Sequence, residues 1–174
     1  ADVLTDWALE YLASRRGGGP FFLFLSYIEP HHQNDHKHYE GPMGSKEAFR
    51  DFVVPGDLAG TAGDWREEYP DYLGCVRSLD ENLGRLRAGL EALGMAKNTL
   101  VVYTSDHGSH FRTRNGEYKR SCHDGCIRIP MVLCGPGFRG GRAPENLVSL
   151  IDLPPTILRA AGVEPPGRMR GRTL

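Results

Sequence analysis

Apolar positions along the chain fall into blocks of differing period, and the period decides the element each can form. Val3, Leu4, Trp7, Ala8, Tyr11 and Leu12 recur at helical spacing, and Gly17-Gly18-Gly19-Pro20 ends that helix. Residues 21–28 are almost continuously apolar and aromatic, the pattern of a strand buried on both faces between helices. A long helix is predicted from Pro70 through Tyr72, Leu73, Val76, Leu79, Leu83, Leu86, Leu90 and Leu93, stopped by Gly94. Residues 98–104 read as a second buried strand and 129–134 as a third, with Pro130 near its start. Residues 147–151 suggest a short strand. Asp152 and Pro154-Pro155 then open a last helix that Gly162 closes. Strands alternating with helices predict an α/β fold with a mostly parallel sheet flanked by helices.

Two long polar segments, 29–65 and 105–128, interrupt this pattern, each directly after a predicted buried strand. Loops of that length in compact domains are usually functional or disordered. In open α/β sheets, ligands bind beyond the carboxyl ends of the strands. The first loop carries His31, His32, His36 and His38; the second carries Asp106, His107, His110, Arg112, Arg114, Lys119 and His123.

Composition narrows the reading by exclusion. The 174 residues suffice for one domain, and 40% hydrophobic with 25% charged residues is ordinary for a globular protein. A net charge of −1, with Lys and Arg dispersed, argues against a nucleic-acid partner. The longest apolar run is strand-sized, so no membrane span is expected. Residues 1–16 carry Asp2, Asp6, Glu10, Arg15 and Arg16 at helical spacing, unlike a signal peptide. The chain opens within a helix without Met, and we expect it to be a piece of a longer protein. Cys75, Cys122, Cys126 and Cys134 form no CxxC pair, so no disulfide framework is expected. Cys122 and Cys126 alone would make a poor zinc site.

The chemistry centres on Thr104-Ser105-Asp106-His107-Gly108. Asp106 offers a hard oxygen and His107 an imidazole nitrogen, and a sharp turn at Gly108 would let both reach one ion. Taken alone, the triplet equally describes a turn with a capping Asp and a packed His. Lys119 follows His107 by twelve residues, and Gly125-Cys126-Ile127-Arg128-Ile129-Pro130 enters the third strand. Upstream stands Pro20-Phe21-Phe22-Leu23-Phe24-Leu25-Ser26, leading to Pro30-His31; downstream stands Ser149-Leu150-Ile151-Asp152-Leu153-Pro154-Pro155-Thr156, with Ala160-Ala161-Gly162.

In this order the four motifs resemble the sulfatases of the alkaline phosphatase superfamily. The resemblance implies an alkaline-phosphatase-like α/β fold and hydrolysis of a sulfated small molecule or glycan, either a carbohydrate or an aryl sulfate. It implies one Ca²⁺ held by Asp106 and His107, with Lys119 and His31 as catalytic, sulfate-contacting residues. Ca²⁺ prefers oxygen, so His107 is the weaker ligand of the two. His123 and Arg112 are further candidates for substrate binding, beside a bland reading of 110–114 as a solvated basic loop. The family's C/S-x-P-S-R motif, source of the formylglycine nucleophile, is absent, as are its N-terminal Asp pair and its Lys-x-His motif. Residues 1–174 are therefore expected to be a single partial catalytic domain, inactive alone, with those elements upstream. A periplasmic or secreted location is implied by family likeness only. Two alternatives stand: a phosphodiesterase or phosphonate monoester hydrolase of the same superfamily, and an inactive binding module. The two-zinc relatives place His four residues after an Asp, whereas Asp35 is followed at that offset by Tyr39.

Overall fold

Helix α1 (Asp2–Ser14) forms where the helical period predicted it. The computed structural model describes residues 1–138 and 140–174. These divide into two units, Ala1–Ala96 with His107–Arg128 and Lys97–Asp106 with Ile129–Leu174, each taken by itself below.

In the first unit α1 buries a narrow stripe of Thr5, Ala8 and Leu12, while Val3 and Trp7 stay about 60% exposed. Small residues face inward because α1 packs closely on α3 (Trp65–Ala92). A Cβ on Gly89 would stand 2.4 Å from Leu9 Cδ2. Buried Asn82 on α3 donates to Asp2 Oδ1 and to the Ser78 carbonyl, both at 2.9 Å, so its amide hydrogens are satisfied. Helix α3 begins at Trp65, upstream of the predicted start, and carries Pro70 inside it. Burial of Trp65 in the core and Glu67 and Glu68 in the first turn favour that earlier start over the hydrogen bond Pro70 cannot make.

The short α2 (Ser45–Ala48) packs on α3 where Gly74 leaves room, since a Cβ there would meet Ser45 Oγ at 2.0 Å. The core itself is aromatic: Tyr39, Leu58, Trp65 and Phe111 are buried, with Phe52, Tyr69 and Tyr72 packed around them. Tyr39 donates its hydroxyl to Ser109 Oγ at 2.7 Å and its N–H to Glu68 Oε2 at 2.6 Å. Burial raises the Tyr39 pKa well above its ordinary value and keeps the phenol a donor. Cys75, a free thiol pushed up to about 11 by burial, donates to the Glu40 carbonyl at 3.1 Å. The core therefore ties residues 39–75 to residues 109–111 and sets a firm floor under both polar loops.

Residues 21–28 depart from expectation. Their exposure alternates with a period of two: Phe22, Phe24 and Ile28 are 65%, 79% and 65% exposed, and their neighbours are half-buried. That is strand-like geometry. No strand is assigned there, however, and burial on both faces needs layers that the described residues do not supply.

The second unit holds the sheet, β1 (Val101–Thr104) paired with β2 (Met131–Cys134). The pairing is antiparallel, with Val101 opposite Cys134 and Thr104 opposite Met131, so the mostly parallel sheet expected from the sequence is not seen among the described residues. The described strands number two and both are spent on this antiparallel pair, so any parallel neighbour would be a further strand. Gly135 turns the chain at φ 134°, where a Cβ would sit 2.3 Å from the Thr99 carbonyl oxygen. The predicted strand at 147–151 is absent; residues Leu150–Asp152 form a 3₁₀ turn leading into α5 (Leu153–Ala160), which is preceded by one further short helix, α4 (Asp124–Ile127), in the first unit. Leu147 and Ile151 are exposed, and with no sheet edge beside them the capping hydrogen bonds of Asp152 take precedence.

Asp152 is buried, and its carboxylate accepts from Ser149 N at 3.0 Å and Arg172 N at 2.7 Å. Thr156 donates to the Asp152 carbonyl at 2.6 Å and accepts from Leu174 N at 3.0 Å, which fastens the C-terminal segment to α5. The two backbone N–H groups, Arg172 first, hold the Asp152 pKa below its ordinary value. A lowered folded-state pKa stabilises at pH above the unfolded value and is lost as pH falls through the folded one. Acidification through and below the ordinary aspartate range should therefore destabilise this unit progressively, and Asp152→Asn should flatten that part of the profile. Near-ultraviolet circular dichroism of the two forms checks this.

Candidate active site

The second polar loop closes on itself. His110 N donates to the Tyr118 carbonyl at 2.8 Å, Ser109 Oγ donates to the same carbonyl at 3.1 Å, and His110 Nε2 donates to the Lys119 carbonyl at 3.0 Å. Closure brings Lys119 back to the start of the loop. A close approach of backbones at Gly108, which donates to the Cys126 carbonyl at 2.8 Å, fixes that start; a Cβ there would stand 2.2 Å from the Gly125 carbonyl oxygen. Phe111 and Arg112 adopt left-handed conformations at φ 48° and 56°. Such conformations cost of order 1–3 kcal/mol each and persist only where the surroundings enforce them. Burial of Phe111 and the pairing of Arg112 supply that enforcement.

The result is a cationic side chain set between two imidazoles. Lys119 Nζ lies 3.0 Å from His107 Nε2 and 3.4 Å from His31 Nε2. An ammonium only donates, so it meets the lone pairs of those nitrogens. The His107 Nδ1 donates to the Gly108 carbonyl at 2.8 Å, which leaves Nε2 as the acceptor. Tyr118 OH is 3.0 Å from His31 Nε2. Buried His32 stacks on the Tyr118 ring with centroids 4.7 Å apart, and Tyr118 in turn packs near Tyr39. Each of His31, His107 and Lys119 is partly buried, so the cluster opens to solvent from a rigid aromatic base.

The remaining sequence candidates lie elsewhere. Arg112 pairs with Asp64 and places its other terminal nitrogen 3.3 Å from His32 Nε2. His123 is exposed and lines an open cavity of about 360 Å³ with Asp57, His110, Arg114, Cys122, Asp124 and Gly125. Asp106 is exposed and follows β1 in the second unit, whereas His107 opens the second part of the first unit. Tyr118 was not singled out from the sequence, and His32 was named among the histidines of the first loop without this packing role. Their signal was adjacency, each standing beside a candidate, with aromatic character that a packed base under the site would use.

Whether these residues suit a divalent ion is a question of donors. The Nδ1 hydrogen bond to a backbone carbonyl orients the His107 ring as a metal-ligating histidine is commonly oriented, and Nε2, which meets Lys119, is the nitrogen that would face an ion. Asp106 adds a carboxylate at the adjacent position. One carboxylate and one imidazole are compatible with a divalent ion, with Asp106 the stronger ligand for an oxygen-preferring ion such as Ca²⁺.

The fold and the order of these motifs define a hydrolase scaffold of the alkaline phosphatase superfamily. The chain belongs to the sulfatase family, whose model, described as Sulfatase, matches residues 1–163. It is 36% identical over 123 residues to the N-acetylglucosamine-6-O-sulfatase of Bacteroides thetaiotaomicron, a match covering 68% of this chain and 22% of that enzyme. A solved Bacteroides fragilis protein, described as a candidate sulfatase, superposes with a TM-score of 0.77 at 27% identity, covering 90% of this chain and 36% of that one. The phosphonate monoester hydrolase of Silicibacter pomeroyi superposes with a TM-score of 0.72 at 25% identity, covering 98% and 39%. The chain thus spans well under half the length of these relatives. No helix among the described residues is long and apolar enough to cross a membrane.

Proposed function

We propose that this chain is part of a sulfuric ester hydrolase acting on a sulfated carbohydrate or aryl sulfate, with residues 1–174 forming part of one catalytic domain. The observation that carries the proposal is the Lys119 ammonium between His107 and His31 at the open rim of the polar loops. A sulfate monoester gains charge on its non-bridging and leaving oxygens in the transition state, and a fixed cation offsets that charge. Lys119 takes a sulfate oxygen as a point charge. His31, whose Nε2 lies against Lys119 and Tyr118, would donate to the sulfate or to the leaving alcohol from Nδ1.

Asp106 and His107, consecutive in the chain, hold one divalent ion, Ca²⁺ by family likeness. When bound, that ion neutralises developing anionic charge. With His107 engaged as a ligand, Lys119 would no longer be held by its Nε2 and would keep its ammonium for substrate. His123, beside Arg114 and the unpartnered, buried Nδ1 of His110, receives the part of the substrate beyond the ester. Arg112 spends two of its donors on Asp64 and His32 and keeps the rest for an anionic group. The formylglycine nucleophile comes from a segment outside this chain, and the location is periplasmic or secreted.

The second reading is a phosphonate monoester hydrolase, favoured by the structural likeness to that enzyme. The full-length protein assayed on an aryl sulfate and an aryl phosphonate monoester separates the two by which ester turns over faster. The 174-residue chain alone is expected to release no sulfate, as a binding module would.

A further inference from the structure

We propose that His36, His38 and Glu40 form a binding site for Zn²⁺ or a transition-metal ion of similar preference. Two imidazole nitrogens and a carboxylate oxygen of these residues lie within 4.8 Å of one another on an exposed turn. His36 Nδ1 contacts Glu40 Oε1, and His38 Nε2 is 3.6 Å from the same oxygen. The two rings are near-parallel with centroids 6.0 Å apart.

Three features distinguish this trio from a chance surface cluster. The first is the tautomer: His38 Nδ1 donates to the Tyr39 carbonyl at 2.8 Å, so Nε2, the nitrogen facing Glu40, carries the lone pair. A backbone carbonyl on the second nitrogen is the usual means of orienting a metal-ligating histidine. The second is a preformed turn. Gln33 N donates to the His38 carbonyl at 2.9 Å, Lys37 N donates to the Gln33 carbonyl at 2.7 Å, and Lys37 adopts φ 62°. The third is the anchor. Tyr39, between two of the ligands, is buried and held by Glu68 and Ser109, so the backbone that spaces the ligands does not have to be ordered by the metal.

Two nitrogens and one oxygen suit Zn²⁺, Co²⁺ or Ni²⁺ and not Ca²⁺ or Mg²⁺, which take oxygen shells. With three protein ligands, water completes the coordination.

Calorimetric titration of the full chain with ZnCl₂, in buffer holding excess Ca²⁺, tests this. One Zn²⁺ should bind, and His36→Ala or His38→Ala should each weaken binding at least about 10-fold. Both side chains are about half exposed or more, so the variants should fold. Bound Co²⁺ should show visible bands without thiolate charge transfer, which excludes Cys122. Zinc affinity unchanged in the His36→Ala/His38→Ala pair, or lost instead in Cys122→Ser/His123→Ala, would overturn the site.

Discussion

Replacing Lys119 with Ala in the full-length protein is expected to lower kcat/KM on an aryl sulfate by about 100- to 1,000-fold, the usual consequence of removing one preorganised donor from developing oxyanion charge. The geometry argues for an effect on catalysis and not on folding. Lys119 is held in place through its backbone, which accepts from His110, while its side chain reaches only the two imidazoles and lies over the Tyr118 ring. The alanine variant keeps those backbone bonds, so its thermal midpoint should stay near that of the parent. Lys119→Arg should recover little activity, because a planar guanidinium cannot fill the compact space between His107 Nε2 and His31 Nε2. Equal turnover by Lys119→Ala and the parent would remove Lys119 from the mechanism.

Phe111→Ala should produce the largest loss of stability, about 3–5 kcal/mol by comparison with other buried phenylalanine truncations. Phe111 is 2% exposed and its ring meets Tyr39, Tyr69 and Tyr72. Alanine would lose this burial and still bear the cost of a positive φ, so the left-handed turn would have nothing to enforce it. Typical domain stability is about 5–15 kcal/mol, so the loss takes a large share of it. The turn also presents Arg112 and leads to Tyr118, so activity should fall with the same denaturation midpoint. Chemical denaturation followed by tyrosine and tryptophan fluorescence measures the loss; a change below about 1 kcal/mol would show that the aromatic core does not depend on Phe111.

Periodic features of the sequence were legible where the physics is local. Helix α1 and the long α3 follow from spacing alone, as do β1 and β2 from short β-branched and apolar runs. Residues 21–28 were legible as an apolar, strand-like run but not in their one-sided exposure or their pairing, because a ladder partner and a covering layer are properties of distant sequence. The same limit explains the sheet: apolar runs mark strands without saying which direction their neighbours take. The 147–151 segment was misread because Asp152, its buried acceptor, draws the chain into a turn through contacts with Arg172, twenty residues further on.

At the candidate site, His31, His107 and Lys119 were legible from motif order, and the loop closure through His110 is what brings them within hydrogen-bonding reach. Tyr118 was not, and His32 was named only as one of the loop histidines, since their packing roles arise from ring stacking that no spacing encodes. Arg112 looked like a free cation along the sequence; in the fold it pairs with Asp64, 48 residues away.

The central claim is that the Lys119–His31–His107 cluster serves sulfate ester hydrolysis. The most direct measurement is a comparison of kcat/KM for an aryl sulfate and the matching aryl phosphonate monoester, using the full-length protein and its Lys119→Ala variant. A preference for the sulfate that collapses in the variant is the predicted result. Preferential turnover of the phosphonate, or sulfate release unaffected by the substitution, would contradict the account.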